Sequence, residues 1–387
     1  MTFSASKFCP PEEPGIGLPL AIFFLGFLFA MCLSAQNAAA VGAQQEATQE
    51  KAAPGKDTQE TIDVDDVSRN YVVHLPRGYD QQQHYPVVIL LHGRNQSPDD
   101  MARLTNFNQL ADKAGIIAVY PKAAHGEWNI GVRPEAVSQD TQPRRRGYGR
   151  PGGFPGGGGG YPGGGGYPGD GQRGGQEPDT NKSRPEPLDD VAFLSQMLDA
   201  LALKYSIDSH RIYATGLEDG GFMALRLGCS MSDRVAAVAS VAAEMPKTMI
   251  CLPSRAVPAL FIDGTDDPIV SYNGGTYKPG RFHVLSAEDT AKTWAKYDRC
   301  AEKPTQEKIP APKKRDKQTK TYTYKGCQSD AQVVLYSVKD GGSTWPGGQQ
   351  YMSEKEVGKT SEAINANETI WNFFATRKIA GNVGAGK

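Results

Sequence analysis

The sequence predicts one α/β domain with a mostly parallel sheet and helices on both faces, and three observations predict it. Short apolar runs at 86–91 (PVVILL), 116–120 (IIAVY) and 258–262 (PALFI) have the character of strands covered on both sides. Segments with helical spacing or helix-compatible polarity separate them, as at 98–113 and 188–205. Residues 213–221 (YATGLEDGG) read as a strand, a glycine-flanked sharp turn and a helix start.

In chain order, 70–75 (NYVVHL) alternates and is β-branched, so it predicts a strand. The strand 86–91 follows, then a helix over 98–113 and the strand 116–120, stopped by Pro121. Val191, Leu194, Leu198 and Leu201 share one helical stripe within 188–205. Residues 211–215 form a strand, 221–229 a helix, and 235–241 and 258–262 two more strands. A helix over 286–297, a strand over 332–338 and a closing helix over 361–376, with Ser361 as its N-cap, complete the pattern.

Flanking segments differ in character. Residues 16–33 are almost wholly apolar, with Lys7 before them and small residues at 34–40 after. This pattern is that of a secretory signal peptide, with an uncleaved membrane anchor as the alternative for residues 1–40. Polar residues 41–60 read as a linker, 61–378 as the domain, and 379–387 as a flexible tail. Of the 44 glycines, 17 fall between 147 and 175, around Tyr161-Pro162 and Tyr167-Pro168. Such a stretch has too few apolar groups to offset its ordering entropy, so 138–187 is expected to be a disordered surface insertion. Loop insertions of this kind cost the fold little. Lys313, Lys314, Arg315, Lys317 and Lys320 read as a solvated basic loop.

Lys+Arg total 42 and Asp+Glu 43 in the 387 residues, a net charge of −1. That balance argues against nucleic acid as a partner. Export makes the cysteines interpretable. Cys229, Cys251, Cys300 and Cys327 allow three pairings, and short separation favours Cys229–Cys251 and Cys300–Cys327, with free buried thiols the alternative.

The turn at 216–220 has the frame of a nucleophile elbow, G-x-S-x-G. The strand 86–91 ends in His92, Gly93 and Arg94, where an oxyanion loop belongs. Asp267 follows the strand 258–262, in the place of a triad acid, and Ser343 follows the last strand, in the place of the base. In these pieces the sequence resembles the secreted polyhydroxybutyrate depolymerase and feruloyl esterase family of α/β-hydrolases. The resemblance covers about residues 60–378 outside the insertion. Its matching pieces are 71–76 (YVVHLP), 91–93 (LHG), 111–115 (ADKAG), 128–129 (WN), 189–194 (DDVAFL), 216–217, 220–221, 264–265 with Asp267, and 344–347 (TWPG). The family implies carboxylic-ester hydrolysis by a Ser–His–Asp triad with no metal or organic cofactor.

Two of the three triad positions depart from that pattern. Glu218 stands where the serine belongs and Ser343 where the histidine belongs. Glu218 has no proton to lose at neutral pH, and a hydroxyl is no general base near pH 7. The expected function is therefore a secreted, catalytically inactive pseudo-esterase that binds an ester or carbohydrate-linked ligand. An active ester hydrolase with a rearranged site, and a surface-interaction protein acting through the Gly/Tyr/Pro insertion, are the rivals.

At the elbow, Glu218 is expected either to accept N–H bonds from the 92–94 loop and Asp219, filling the oxyanion site with Ser343 as a donor to it, or simply to point to solvent. Trp128 and Trp345 are expected to flank the cleft, with core packing as the other reading. Glu218, Asp219, Asp266 and Asp267 as calcium ligands, or His74, His84, His125, His210 or His283 as a displaced base, are weaker readings. No metal and no cofactor are expected.

Overall fold

The structure, a computed structural model, describes residues 53–132, 188–280, 282–310 and 318–380. The chain divides after Lys51, and the unit from Ala52 to Lys387 carries every described element. The apolar leader, the Gly-rich insertion and residues 311–317 of the basic run lie outside the described residues.

Twelve strands are described, ten of them in one sheet. In chain order the sheet strands are β1 (Asp57–Val64), β2 (Val67–His74), β3 (Tyr85–Leu91), β4 (Ile117–Pro121), β5 (Ile207–Leu217), β6 (Ala237–Val241), β7 (Ala259–Gly264), β10 (Thr305–Ile309), β11 (Thr319–Tyr324) and β12 (Val333–Val338). Spatial order is β1-β2-β4-β3-β5-β6-β7-β12-β11-β10. The six strands from β4 to β12 run parallel, and antiparallel pairs β1–β2 and β11–β10 extend the two edges. This is the mostly parallel sheet that the apolar runs predict, and it fits the α/β-hydrolase fold that the resemblance implies. A separate hairpin, β8 (Gly275–Tyr277) with β9 (Phe282–Val284), lies beyond β7 in the chain.

Helices cover both faces, because the central strands are buried along their whole length. On one face pack α3 (Asp190–Lys204), α4 (Asp219–Ser230) and α5 (Ala287–Tyr297), which bring Phe193, Phe222 and Trp294 into one apolar layer. On the other face pack α1 (Pro98–Thr105), α2 (Phe107–Ala114) and α7 (Ala366–Phe374), which supply Leu104, Phe107 and Phe374; the short α6 (Glu354–Val357) precedes α7. Each such aromatic or aliphatic burial is worth roughly 1.5–3 kcal/mol.

Several sequence expectations are corrected. The strand β1 begins at Asp57, so the last residues assigned to the linker pair with β2, from Asp57 opposite His74 onward. The helix expected over 98–113 is two helices, because Asn106 takes the left-handed conformation, φ 53°, and ends α1. Asn and Asp tolerate that region better than most residues. The closing helix starts at Ala366, capped by the Asn365 side chain, which accepts from the Glu368 N–H at 3.1 Å; Ser361 is not its cap. Lys320 belongs to β11, not to a loop. At the C-terminus, Ile379 donates its N–H to the His210 carbonyl at 2.9 Å, so the first tail residue is anchored.

Both disulfides join the partners that short separation favours, Cys229–Cys251 and Cys300–Cys327. Among the described residues no helix is long and apolar enough to cross a membrane.

Candidate active site

The site lies at the carboxyl ends of the parallel strands, where β3 and β5 pair and the strand order reverses. β5 runs to Leu217, α4 starts at Asp219, and Glu218 alone makes the turn, with φ 54° and ψ −112°. A non-glycine residue in that conformation costs on the order of 1–3 kcal/mol and persists only where its surroundings impose it. Here the Glu218 N–H is tied to the Val241 carbonyl at 2.9 Å, and its carbonyl accepts the Phe222 N–H at 3.0 Å. Glycines let the pieces close. A Cβ on Gly220 would stand 2.0 Å from the Leu91 carbonyl oxygen, and one on Gly216 would stand 2.4 Å from the Gly220 backbone. Gly220→Ala is therefore expected to drive β3 and α4 apart and to cost about 3 kcal/mol, the upper range for overpacking. A urea midpoint unchanged from the parent would refute this.

The Glu218 side chain is buried at the floor of a cleft of about 640 Å³, whose walls include Arg94, Gln96, Ile269, Gln350 and Tyr351. Its Oε1 accepts the Tyr277 hydroxyl at 3.0 Å. The Arg94 backbone N–H lies near the same carboxylate and favours its charged form, and Oε2 lies against Gly93. Burial raises its pKa, and the Tyr277 hydrogen bond and the Arg94 charge oppose the shift. Arg94 itself is paired with Glu127.

The three triad positions converge, since Asp267 feels both the Glu218 charge and the Ser343 hydroxyl. Asp267 Oδ1 accepts the Ile269 and Val270 N–H groups, each at 2.8 Å. Burial nevertheless pushes its carboxyl up to about 7. Ser343 is fully buried beside Asp267 and lowers its pKa, yet neither Ser343 Oγ nor Asp267 Oδ2 makes a hydrogen bond of normal geometry. The bond expected from Ser343 to Glu218 is accordingly not formed.

Four other predicted site residues have structural work instead. His92 is fully buried; its Nδ1 meets the Gly93 carbonyl at 2.8 Å and its Nε2 accepts the Ala123 N–H at 3.1 Å. Asp219 turns from the cleft and accepts the Trp128 N–H at 2.8 Å; burial raises its pKa to about 7. Trp128 packs on the His92 ring and donates Nε1–H to the His92 carbonyl at 2.9 Å. Trp345 lies in the core and donates Nε1–H to Asn367 Oδ1 at 2.8 Å, while Asn367 donates to the Thr105 carbonyl at 2.7 Å. Neither tryptophan lines the cleft.

Another matching piece also has a physical cause. Asp189 caps α3, and Asp190 pairs with Arg69 at 2.5 Å and accepts the Asn129 N–H at 2.7 Å. Together Asp190 and Asp219 hold the 128–129 backbone beneath the cleft.

Sequence reasoning missed Tyr277, which reaches Glu218 from the hairpin strand β8, and Tyr351, whose hydroxyl donates to the Ser343 carbonyl at 3.0 Å. Nothing local marks either. It also passed over Glu244, a lone acid in the apolar run 235–245, where burial was the available signal. Among the described residues no cluster of three or more His, Cys, Asp or Glu side chains is arranged to hold a metal. The calcium reading of Glu218, Asp219, Asp266 and Asp267 therefore has no geometric support.

The family profile described as Esterase PHB depolymerase matches residues 69–132. The esterase-like NocK of Nocardia uniformis subsp. tsuyamanensis is 26% identical over 299 residues, covering 75% of this chain and 74% of that protein. Feruloyl esterase B of Piromyces equi is 32% identical over 163 residues, covering 40% of this chain and only 28% of that protein. Feruloyl esterase D of Neurospora crassa is 22% identical over 315 residues, covering 81% and 84% of the two chains. Among solved structures, an acetyl xylan esterase from Aspergillus awamori superposes at a TM-score of 0.48 with 11% identity, covering 82% of this chain and 99% of that one.

Proposed function

We infer that this chain, similar to polyhydroxybutyrate depolymerases and feruloyl esterases, is a pseudo-esterase: a hydrolase scaffold that binds a ligand without cleaving it. One observation carries this reading. The apex of the elbow holds a buried carboxylate that accepts the Tyr277 hydroxyl beside the Gly93–Arg94 backbone, and the group beside Asp267 is a hydroxyl.

Acyl transfer needs a nucleophile whose proton a neighbouring base removes, and an open pair of N–H donors for the developing oxyanion. Glu218 has no hydroxyl or thiol to activate, and its carboxyl stands where the oxyanion loop would receive the substrate oxygen. An acyl anhydride formed on Glu218 would still lack a base to activate water. The ligand is an ester or carbohydrate-linked ligand, whose oxygen-rich groups suit the polar cleft wall that Arg94 and Gln349 provide. Residues 1–40 direct export, and the two disulfides accord with an oxidising compartment. A membrane is a partner only where that segment stays uncleaved.

Hydrolysis of a short-chain chromogenic ester tests the reading. Turnover equal to buffer is expected, unchanged by Glu218→Ala. Turnover well above buffer that Glu218→Ala abolishes would overturn it and make Glu218 a nucleophile.

A further inference from the structure

Behind the cleft floor, a second acidic group takes no part in the esterase-like site. Glu244 follows β6 and Asp263 lies in the neighbouring strand β7. The Ala242 N–H donates to the Ile262 carbonyl at 3.0 Å, so Asp263 lies alongside 242–244. The backbone there is held on both sides. Ser240 Oγ donates to the Ala243 carbonyl at 2.7 Å, and the Met245 N–H donates to Thr290 Oγ1 at 3.0 Å.

Each of the two acids is 1% exposed. None of their four carboxyl oxygens makes a hydrogen bond of normal geometry; the amides of Ala243 and Glu244 lie near but poorly aligned. The charged groups acting on Glu244 are Asp263 and Asp267, and Asp267 acts on Asp263. Asp263 in turn faces the Tyr272 phenol, and Asp267 faces Glu218 and Ser343. Ser343 Oγ is itself fully buried and unpartnered, so the row of unsatisfied oxygens runs from Glu244 through Asp263 and Asp267 to Ser343.

Two adjacent carboxylates without a counter-charge cannot both ionise in such a place, since each bare charge carries the full desolvation cost. One retained proton lets one acid donate to the other and removes half of that charge. We propose that Glu244 and Asp263 hold a single shared proton at neutral and mildly alkaline pH, so that the buried pair carries one negative charge in place of two. The inference does not depend on whether the cleft turns over an ester.

Infrared spectroscopy of the folded full chain at pH 8.5 tests it, read as the deuterium-sensitive carbonyl band of a protonated carboxylic acid. Groups that titrate near 7 are ionised at that pH. The parent chain is expected to show a band that Glu244→Gln/Asp263→Asn removes while near-ultraviolet circular dichroism stays native. Glu244→Gln alone leaves a donor beside Asp263 and is expected to lower, by about one pH unit or more, the pH at which the remaining band disappears. Should the double variant fail to fold, this single variant decides. A parent chain without the band, a band that survives in the folded double variant, or an unmoved titration in Glu244→Gln would overturn the proposal.

Discussion

Glu218→Ser combined with Ser343→His is expected to hydrolyse a short-chain aryl ester at least about 10³-fold faster than the parent chain, because the sharp turn and the buried acid that a triad needs stand at Glu218 and Asp267. The elbow keeps its strained φ 54°, and Gly216 and Gly220 keep the close approach of β3 and α4. Removing the Glu218 carboxyl clears the space it fills beside Gly93 and Arg94 for an oxyanion. Asp267 is oriented by the Ile269 and Val270 N–H groups through Oδ1, which leaves Oδ2 free to accept from an imidazole.

The two changes depend on each other for steric as well as chemical reasons. Ser343 is fully buried, so an imidazole there needs the space that shortening Glu218 releases. Ser343→His alone would crowd the floor and ion-pair with Glu218. Glu218→Ser alone would have a nucleophile and no base. Either single variant is expected to stay within about tenfold of background, a non-additivity typical of groups that act as a unit. The measurement is initial rate against ester concentration for all four proteins. A folded double variant as inert as the parent would mean that the cleft walls, and not only the two side chains, have left the esterase geometry.

The parts of this molecule that were legible in its sequence are those fixed by local periodicity and glycine. Strands such as 86–91 and 258–262 announce themselves because a buried parallel strand needs an unbroken apolar run, and both are strands in the structure. The elbow is legible because only glycine fits at 216 and 220. The edge strands β10 and β11 were not, since sequences such as TQEKI and TKTYTY have polar faces that resemble loops. Nor was the role of Trp345. A tryptophan in a family-like motif near a catalytic position suggests a cleft wall, but its indole N–H found Asn367, a long-range partner that no local pattern reveals. Tyr277 escaped for the same reason: its contact with Glu218 spans 59 residues.

The chain is expected to be markedly more stable at pH 5 than at pH 8, by about 10 °C in unfolding midpoint. Three buried carboxyls, Asp219, Asp267 and Asp298, titrate at about 7 in the folded chain, all raised chiefly by burial. In the unfolded chain each titrates near its ordinary value of about 3.9. A carboxyl whose folded pKa is raised binds more protons in the folded state, so its contribution is whole below the unfolded value and declines as pH rises, until it is gone above about 7. Every tenfold difference in proton affinity between the folded and unfolded chain is worth about 1.4 kcal/mol, which gives a ceiling of about 4 kcal/mol per group before coupling within the cleft reduces the sum. His74, raised by Asp57 and Asp112 against its burial, acts in the same direction. His92, lowered by burial, acts in the opposite one and weakens the acid limb as pH falls below its ordinary value.

Asp298 separates this effect from the cleft. Its Oδ1 accepts the Val257 N–H at 2.9 Å while Oδ2 has no partner. Asp298→Asn keeps the acceptor and removes the charge that burial penalises. It is expected to raise the unfolding midpoint at pH 8 by several degrees and to leave it nearly unchanged at pH 5. Calorimetric midpoints that climb from pH 5 to pH 8, or an Asp298→Asn variant that is weakened at both, would show that these carboxyls are ionised and satisfied in the folded chain. The burial argument for the cleft acids would then fail with them.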